Sequence, residues 1–311
     1  MFVSPRAAEV PKALVARAAS GGAVRTAVVN AVNVVVLESV RDAVAAGLIE
    51  PVLVGARSEV EQAADAAGFA LSGVEVVDAA GEEGAAAAAA KCAADDAVQA
   101  VMKGHLHTDV FMRALLSRDA GLRTGAPFTH AFYMTVPGDD RGLVITDAAL
   151  NPAPDIETRK AIAANAVRLQ QAIGVERPKV ALLSATEVPS PKIPSSEEAA
   201  EIAAWAKTGL PDADVDGPLA FDLAVSADAA RVKGVTSPVA GAADVIVVPE
   251  IVAGNALFKM MAQFMGACAG GLVMGAKVPI LLTSRADPPA ARISSAALAS
   301  VLAAHARAET A

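Results

Sequence analysis

Short Val/Ile/Leu runs recurring between longer Ala-rich stretches constrain this chain more than any other feature. They fall at Val24 to Val29, Pro51 to Val54, Val74 to Val77, Val98 to Met102, Leu143 to Thr146, Val180 to Leu183, Val245 to Val248 and Ile280 to Thr283. Short aliphatic runs without polar alternation suit strands buried on both faces, and the intervals between them are long enough for helices. Such a chain builds largely parallel sheets covered by helices. Its 311 residues exceed the roughly 250 to 300 at which one hydrophobic core stops growing, so two domains are expected. Hydrophobic residues make up 54% but aromatics only 3%, so the core has to come from small aliphatic side chains that let helices lie close to the sheets. The stretch from Ser4 to Ala19 reads as an ordinary first helix rather than a transit peptide, because Glu9 interrupts its basic residues.

Charge and motifs exclude several classes. A formal charge of −8 repels nucleic acid and anionic membrane surfaces at long range, although a few arginines in a cleft still attract a small anion. Phe264 to Ala276, the longest uncharged apolar stretch, is too short and Gly-rich for a membrane span of ~20 residues. Cys92 and Cys268 form no C-x-x-C pair, which fits a reducing, cytoplasmic setting. No Walker A sequence, G-x-G-x-x-G turn or G-x-S-x-G elbow is present; the glycines of Gly266 to Gly271 have the wrong spacing and fall in a helical or buried pattern. His105, His107 and Asp109 form H-x-H-x-D, but no further His or Cys lies close enough in sequence to complete a metal site, and none is expected. His130 and His305 are isolated and read as satisfied or surface histidines rather than ligands.

In open α/β sheets ligands bind beyond the carboxyl ends of strands, and several strand ends here carry polar residues. The segments are Lys103-Gly104-His105-Leu106-His107-Thr108, Ile145-Thr146-Asp147-Ala148-Ala149-Leu150-Asn151-Pro152, Gly217-Pro218-Leu219-Ala220-Phe221-Asp222, Val248-Pro249-Glu250-Ile251-Val252-Ala253-Gly254-Asn255 and Leu282-Thr283-Ser284-Arg285-Ala286-Asp287. In this order and spacing the chain resembles the phosphate acetyltransferase and phosphate butyryltransferase family, with Pro51 to Gly55 and Pro178 to Ser184 extending the likeness. The Thr-Ser-Arg-Ala-Asp wording is closer to the butyryltransferase branch.

The resemblance implies two three-layer α/β domains with mostly parallel sheets, a fold shared with the isocitrate and isopropylmalate dehydrogenases. It places the active site in the interdomain cleft, with residues 1–128 plus 286–311 as one domain and 129–285 as the other. It implies reversible transfer of an acetyl, propionyl or butyryl group between coenzyme A and inorganic phosphate, by direct thiol attack on acyl phosphate in a ternary complex. Such chemistry has to deprotonate a thiol of pKa ~8.5, polarise a carbonyl and neutralise a departing phosphate, without a metal or a covalent intermediate. A guanidinium suits the phosphate and the developing oxyanion, which makes Arg285 the first catalytic candidate. Ser284 matches the family serine that hydrogen-bonds the carbonyl or phosphate oxygen, and it also reads as a plain helix cap.

The general base stays open. Asp287 is one candidate, and equally a helix N-terminal carboxylate stabilised by the dipole. The acetyltransferase branch carries its assigned aspartate farther along the helix, where this chain has Ala290-Ala291-Arg292. Thr108, Arg113 and Arg123 are candidates for binding phosphate or coenzyme A, against a solvated helix face for Arg113 and a loop arginine at a subunit surface for Arg123. Gly254 and Asn255 are expected to open a helix where glycine allows close ligand approach, with Asn255 otherwise a cap. Asp147 and Asn151 read equally as structural turn residues. Expected partners are acyl-CoA, CoA, phosphate, acyl phosphate and a second copy in a homodimer, with coenzyme A as substrate and no permanently bound cofactor. Two alternatives share the fold: a non-catalytic acyl-CoA sensing module, and the acyl-carrier-protein version of the reaction.

Overall fold

The computed structural model describes residues 3–139, 141–282 and 287–310. Ser284 and Arg285 lie outside the described residues. In chain order the first elements are α1 (Lys12–Ser20), β1 (Val24–Val29), α2 (Val34–Ala45), β2 (Ile49–Gly55), α3 (Arg57–Ala67), β3 (Glu75–Asp78), α4 (Gly81–Ala94), β4 (Ala100–Lys103) and α5 (Thr108–Leu116). There follow β5 (Thr129–Thr135), β6 (Leu143–Thr146), α6 (Ile156–Ile173), β7 (Lys179–Leu183), α7 (Pro194–Gly209), β8 (Asp214–Leu219), α8 (Phe221–Val225), α9 (Ala227–Val232), β9 (Val245–Val247) and α10 (Ile251–Met265). The chain ends with β10 (Cys268–Met274), β11 (Ile280–Leu281) and α11 (Pro289–Thr310). Two compact units result: a terminal unit of Val10–Ala126 with Gly270–Ala311, and a middle unit of Pro127–Ala269 with Met1–Glu9.

In the terminal unit the strands lie in the order β3-β2-β1-β4-β11-β10. All neighbours are parallel except β10 on β11. The α2, α3 and α11 helices pack together on this sheet, as do α4 and α5. Alanine makes the close approach possible: α4 turns Ala85, Ala86, Ala89, Ala90 and Ala93 inward, and methyl groups let the helix lie close on β1, β2 and β4. Leu37, Leu53, Phe111 and Leu298 are fully buried, each worth roughly 1.5–3 kcal/mol against exposure.

In the middle unit the order is β5-β6-β9-β7-β8, with β5 antiparallel to β6 and the rest parallel. Met134, Ile145, Leu183, Ile246 and Val248 form one core cluster, on which Leu257, Phe258 and Met261 of α10 pack. Asp155 opens α6 by accepting the Thr158 N–H at 2.8 Å, the side-chain capping its position favours.

Three strands fall where the periodicity shows none. The first, β5, pairs Met134 with Leu143 across a Pro137-Gly138 turn, a hairpin signal between two apolar runs. The second, β8, carries Gly217 and Pro218, which an edge strand tolerates because one side needs no ladder donors. The third, β10, gives the buried rather than the helical form of the pattern around Gly266 to Gly271. A Cβ on Gly270 would stand 2.4 Å from Ser294 Oγ and 2.9 Å from Leu298 Cδ1, so this glycine lets α11 lie on the strand. The first helix begins at Lys12 rather than Ser4. Pro11 occupies its cap, and proline disfavours helical geometry in the residue before it. Among the described residues no helix is long and apolar enough to cross a membrane.

Arg159 of α6 is a strain on this packing. It is 0% exposed, and only Nη1 is engaged, donating to Glu198 Oε2 of α7 at 2.8 Å; Nε and Nη2 have no partner. Burial pulls its pKa below the ordinary arginine value against the attraction of Glu198. Arg159→Met is expected to raise stability by about 1–3 kcal/mol, because Glu198 is 40% exposed and stays hydrated alone. Glu198→Ala, which strands the buried cation, is expected to lower it by at least about 2 kcal/mol. Urea unfolding of both variants checks the opposite signs.

Candidate active site

The terminal unit has its topological switch point between β1 and β4: from β1 the chain moves to β2 and β3 on one side and to β4 on the other. The carboxyl ends at such a point are where open α/β sheets bind ligands. Beyond Val29 the chain turns at Asn30, whose φ of 53° is left-handed, a conformation asparagine tolerates. Asn30 Nδ2 donates to the His105 carbonyl at 2.6 Å, and the His105 N–H donates back to the Asn30 carbonyl at 3.0 Å. Between them passes Gly104, where a Cβ would stand 2.2 Å from the Val29 carbonyl oxygen. Only glycine fits there.

This braced loop leads from the buried Lys103 to the N-terminus of α5. The N-cap is His107, whose side chain makes no capping bond; instead Glu82, in the first turn of α4, reaches across to it. The His107 N–H donates to Glu82 Oε2 at 2.9 Å, and His107 Nδ1 lies 3.0 and 2.9 Å from Oε1 and Oε2. Thr108 is the first residue of α5 and exposed. Sequence reasoning missed Glu82, because it lies on a different helix with no motif around it.

The other sequence candidates separate along α5. Arg113 is exposed and paired with Asp109 one turn earlier, Nη2 to Oδ2 at 3.0 Å. Arg123 lies at the far end, where Nε and Nη2 both donate to the Leu116 carbonyl at 3.0 and 2.8 Å. A cation on the last carbonyl of a helix is favoured by the dipole. Thr108 and Arg123 thus occupy opposite ends of one helix. Leu281 of β11 pairs with Met102 of β4, so β11 and β4 run side by side to the same sheet edge. Asp287 is half-buried; its carbonyl accepts from Arg292 Nη2 at 2.9 Å, while Arg292 Nη1 donates to Ser39 Oγ of α2 at 2.8 Å.

In the middle unit, Gly254 and Asn255 lie inside α10 rather than at its start. Glu250 is the cap, its two carboxylate oxygens accepting from Val252 and Ala253 N–H at 2.7 and 2.8 Å. A Cβ on Gly254 would stand 2.9 Å from Ala148 Cα, so the helix leans directly on the turn after β6. Asn255 Nδ2 reaches the Ala148 carbonyl at 3.4 Å, a long bond. The turn is organised by Asp147, 1% exposed, which accepts four donors: the N–H groups of His130, Ala149 and Leu150, and Asn151 Nδ2. Both oxygens of Asp147 and the amide of Asn151 are engaged in holding the turn. A cavity of about 420 Å³ lined by Arg177, Lys207 and Asp214 opens instead at the amino ends of β7 and β8, and there Arg177 is already bound to Asp214 at 2.7 Å.

His130 on β5 is fully buried with Nδ1 unpartnered, its ring edge-on to Phe132, which stacks on Phe258. Burial drives its pKa down from 6.5 to about 4, and nearby Asp147 only partly opposes the fall. The folded histidine is neutral where the unfolded one is charged, so stability is lost as pH falls from 6.5 towards 4 and not further below. Between pH 7 and pH 5 this protein is expected to lose about 2 kcal/mol more than His130→Gln does, as measured by urea denaturation at the two values.

The model of the family described as Phosphate acetyl/butaryl transferase matches residues 83–300. The phosphate acetyltransferase of Rhizobium meliloti is 44% identical over 263 residues, covering 84% of this chain and 83% of the relative. The phosphate butyryltransferase of Clostridium acetobutylicum is 38% identical over 280 residues, covering 90% and 93%. Among solved structures, a branched-chain phosphotransacylase from Enterococcus faecalis V583 matches with a TM-score of 0.80 at 29% identity, covering 90% of this chain and 99% of that one. With this degree of likeness across both compact units, the chain belongs to the phosphate acetyl/butyryl transferase family.

Proposed function

We propose that this protein is a phosphate acyltransferase that moves an acetyl, propionyl or butyryl group reversibly between coenzyme A and inorganic phosphate. One observation supports the reading beyond family membership: β4 and β11 pair side by side, and in the sequence they are followed by the two segments richest in anion-binding and acyl-transfer residue types, Lys103 to Thr108 and Thr283 to Asp287. In the proposed mechanism coenzyme A and acyl phosphate bind together. The thiol sulfur attacks the carbonyl carbon, the bond to the phosphate oxygen breaks, and phosphate departs with the electron pair. Arg285 neutralises charge on the carbonyl oxygen and the leaving phosphate through its two parallel donors, and Ser284 donates to one of those oxygens. The first turn of α5, with Thr108, offers N–H groups to a phosphate. Coenzyme A enters as a substrate. A pocket distinguishes one methylene by only ~1 to 3 kcal/mol, so the three chain lengths are ranked by measurement.

The protein is also proposed to act as a homodimer. The α10 helix is apolar nearly all round: Leu257, Phe258 and Met261 pack on the core, while Val252, Met260, Phe264 and Met265 are exposed. A helix hydrophobic on every side is ordinarily covered on every side, and a second copy of this chain is the occupant proposed. Phe264→Glu is expected to shift the mass found by light scattering from dimer to monomer; an unchanged mass places the interface elsewhere.

The reaction is tested by mixing purified protein with coenzyme A and, separately, acetyl, propionyl and butyryl phosphate while following thioester formation. Turnover is expected, falling about 100- to 1,000-fold in Arg285→Ala. No turnover with any of the three, despite coenzyme A binding, overturns the reading.

A further inference from the structure

Thiol attack on acyl phosphate needs a base, and α11 carries no carboxylate before Glu309. Ala290 and Ala291 are buried there, and Arg292 is held by Ser39 and the Asp287 carbonyl. From the Glu82–His107 pair we infer that His107 is the general base that takes the thiol proton of coenzyme A, with Glu82 as its positioning residue. This inference rests on the proposed acyl transfer.

The geometry has three parts. A carboxylate only accepts, so Glu82 at 2.9 Å assigns the proton of the neutral ring to Nδ1 and leaves the lone pair on Nε2. The ring is 71% exposed while Glu82 is only 29% exposed, so the acceptor nitrogen is open and its orienting partner is sheltered. The backbone carrying the ring is anchored by its own N–H on Glu82 and by the paired Asn30–His105 bonds. A nitrogen base whose other nitrogen is held by a carboxylate is the arrangement that activates nucleophiles in unrelated hydrolases. Imidazole is also the side chain whose ordinary protonation change lies nearest neutral pH, which suits both directions of a reversible transfer. The other ionisable groups on the two helices that carry the pair are Glu83, Lys91 and Cys92 on α4 and Asp109 with its partner Arg113 on α5, with His105 and Lys103 ahead of the ring in the chain.

The proton balance closes without a further reactant. Nε2 accepts the S–H proton as the sulfur–carbon bond forms, and the carbon–oxygen bond to phosphate breaks. The imidazolium then returns its proton to the departing phosphate, and Glu82 stabilises the imidazolium in between.

The test is the pH profile of kcat and kcat/KM for thioester formation in the wild type, His107→Gln and Glu82→Gln, with melting temperature and KM for coenzyme A measured alongside. In His107→Gln, kcat is expected to fall about 100- to 10,000-fold, the low-pH limb to disappear, and KM and melting temperature to stay near wild type. In Glu82→Gln, whose amide oxygen still accepts from the His107 N–H, kcat is expected to fall about tenfold with the limb displaced to lower pH. Exogenous imidazole is expected to restore part of the rate to His107→Ala, which a purely structural brace would not allow. Retention of kcat within about threefold in His107→Gln, or a limb that survives there and vanishes in Asp287→Asn, overturns the assignment while leaving the reaction intact. A wild type inactive with all three acyl phosphates overturns the reaction itself, and the base with it.

Discussion

The approach of Gly104 to the Val29 carbonyl, where a Cβ would stand only 2.2 Å from the oxygen, is the contact on which the carboxyl edge of the terminal unit's sheet depends. Any side chain there would push the loop after β4 away from β1. The Asn30–His105 bonds would part first, and α5 would start too far from α4 for Glu82 to reach His107. The parallel order β2-β1-β4-β11 puts a topological switch point at this edge, where successive connections diverge. The glycine then lets two loops line it closely. The local geometry and the topology therefore point to the same few residues.

The middle unit treats buried polar groups in two contrasting ways. Asp147 is buried with all its acceptor capacity used, and the turn it organises carries the start of α10 through Ala148 and Gly254. A satisfied network of this kind rigidifies what surrounds it. Arg159 and His130 are buried with donors or acceptors unmade, and each leaves a desolvation cost that a neighbouring carboxylate offsets only in part. Packing elsewhere in the unit, from aliphatic clusters such as Ile145, Ile246 and Val248, has to outweigh both.

The polar segments at strand ends were visible in the sequence, because the carboxyl edge of a parallel sheet concentrates polar residues in short stretches. Thr108 stood out there as an anion-binding candidate and His107 only as part of H-x-H-x-D. The partner of His107 was not visible: Glu82 is 25 residues away on another helix, in a run of Gly, Glu and Ala that reads as an ordinary first turn. Arg123 illustrates the converse. Its sequence setting suggests an anion binder or a loop arginine at a subunit surface, and the fold brings its guanidinium to the last carbonyl of α5. Gly254 carried a signal whose meaning depended on what approaches it, and in this fold a backbone turn does.

The sequence alone determined the parallel α/β class, since aliphatic runs without alternation have to be buried on both faces and Ala-rich intervals supply helices thin enough to cover them. It also determined the family, because five short motifs in a set order are far more specific together than any one of them. The tertiary structure alone decided which strands join antiparallel as β5 and β10 do, since their Gly, Thr and aromatic content is ambiguous until neighbours are present. It alone decided which polar side chains meet. Side-chain pairing depends on distances of 3 Å between residues remote in the chain, and local periodicity carries no information about such separations.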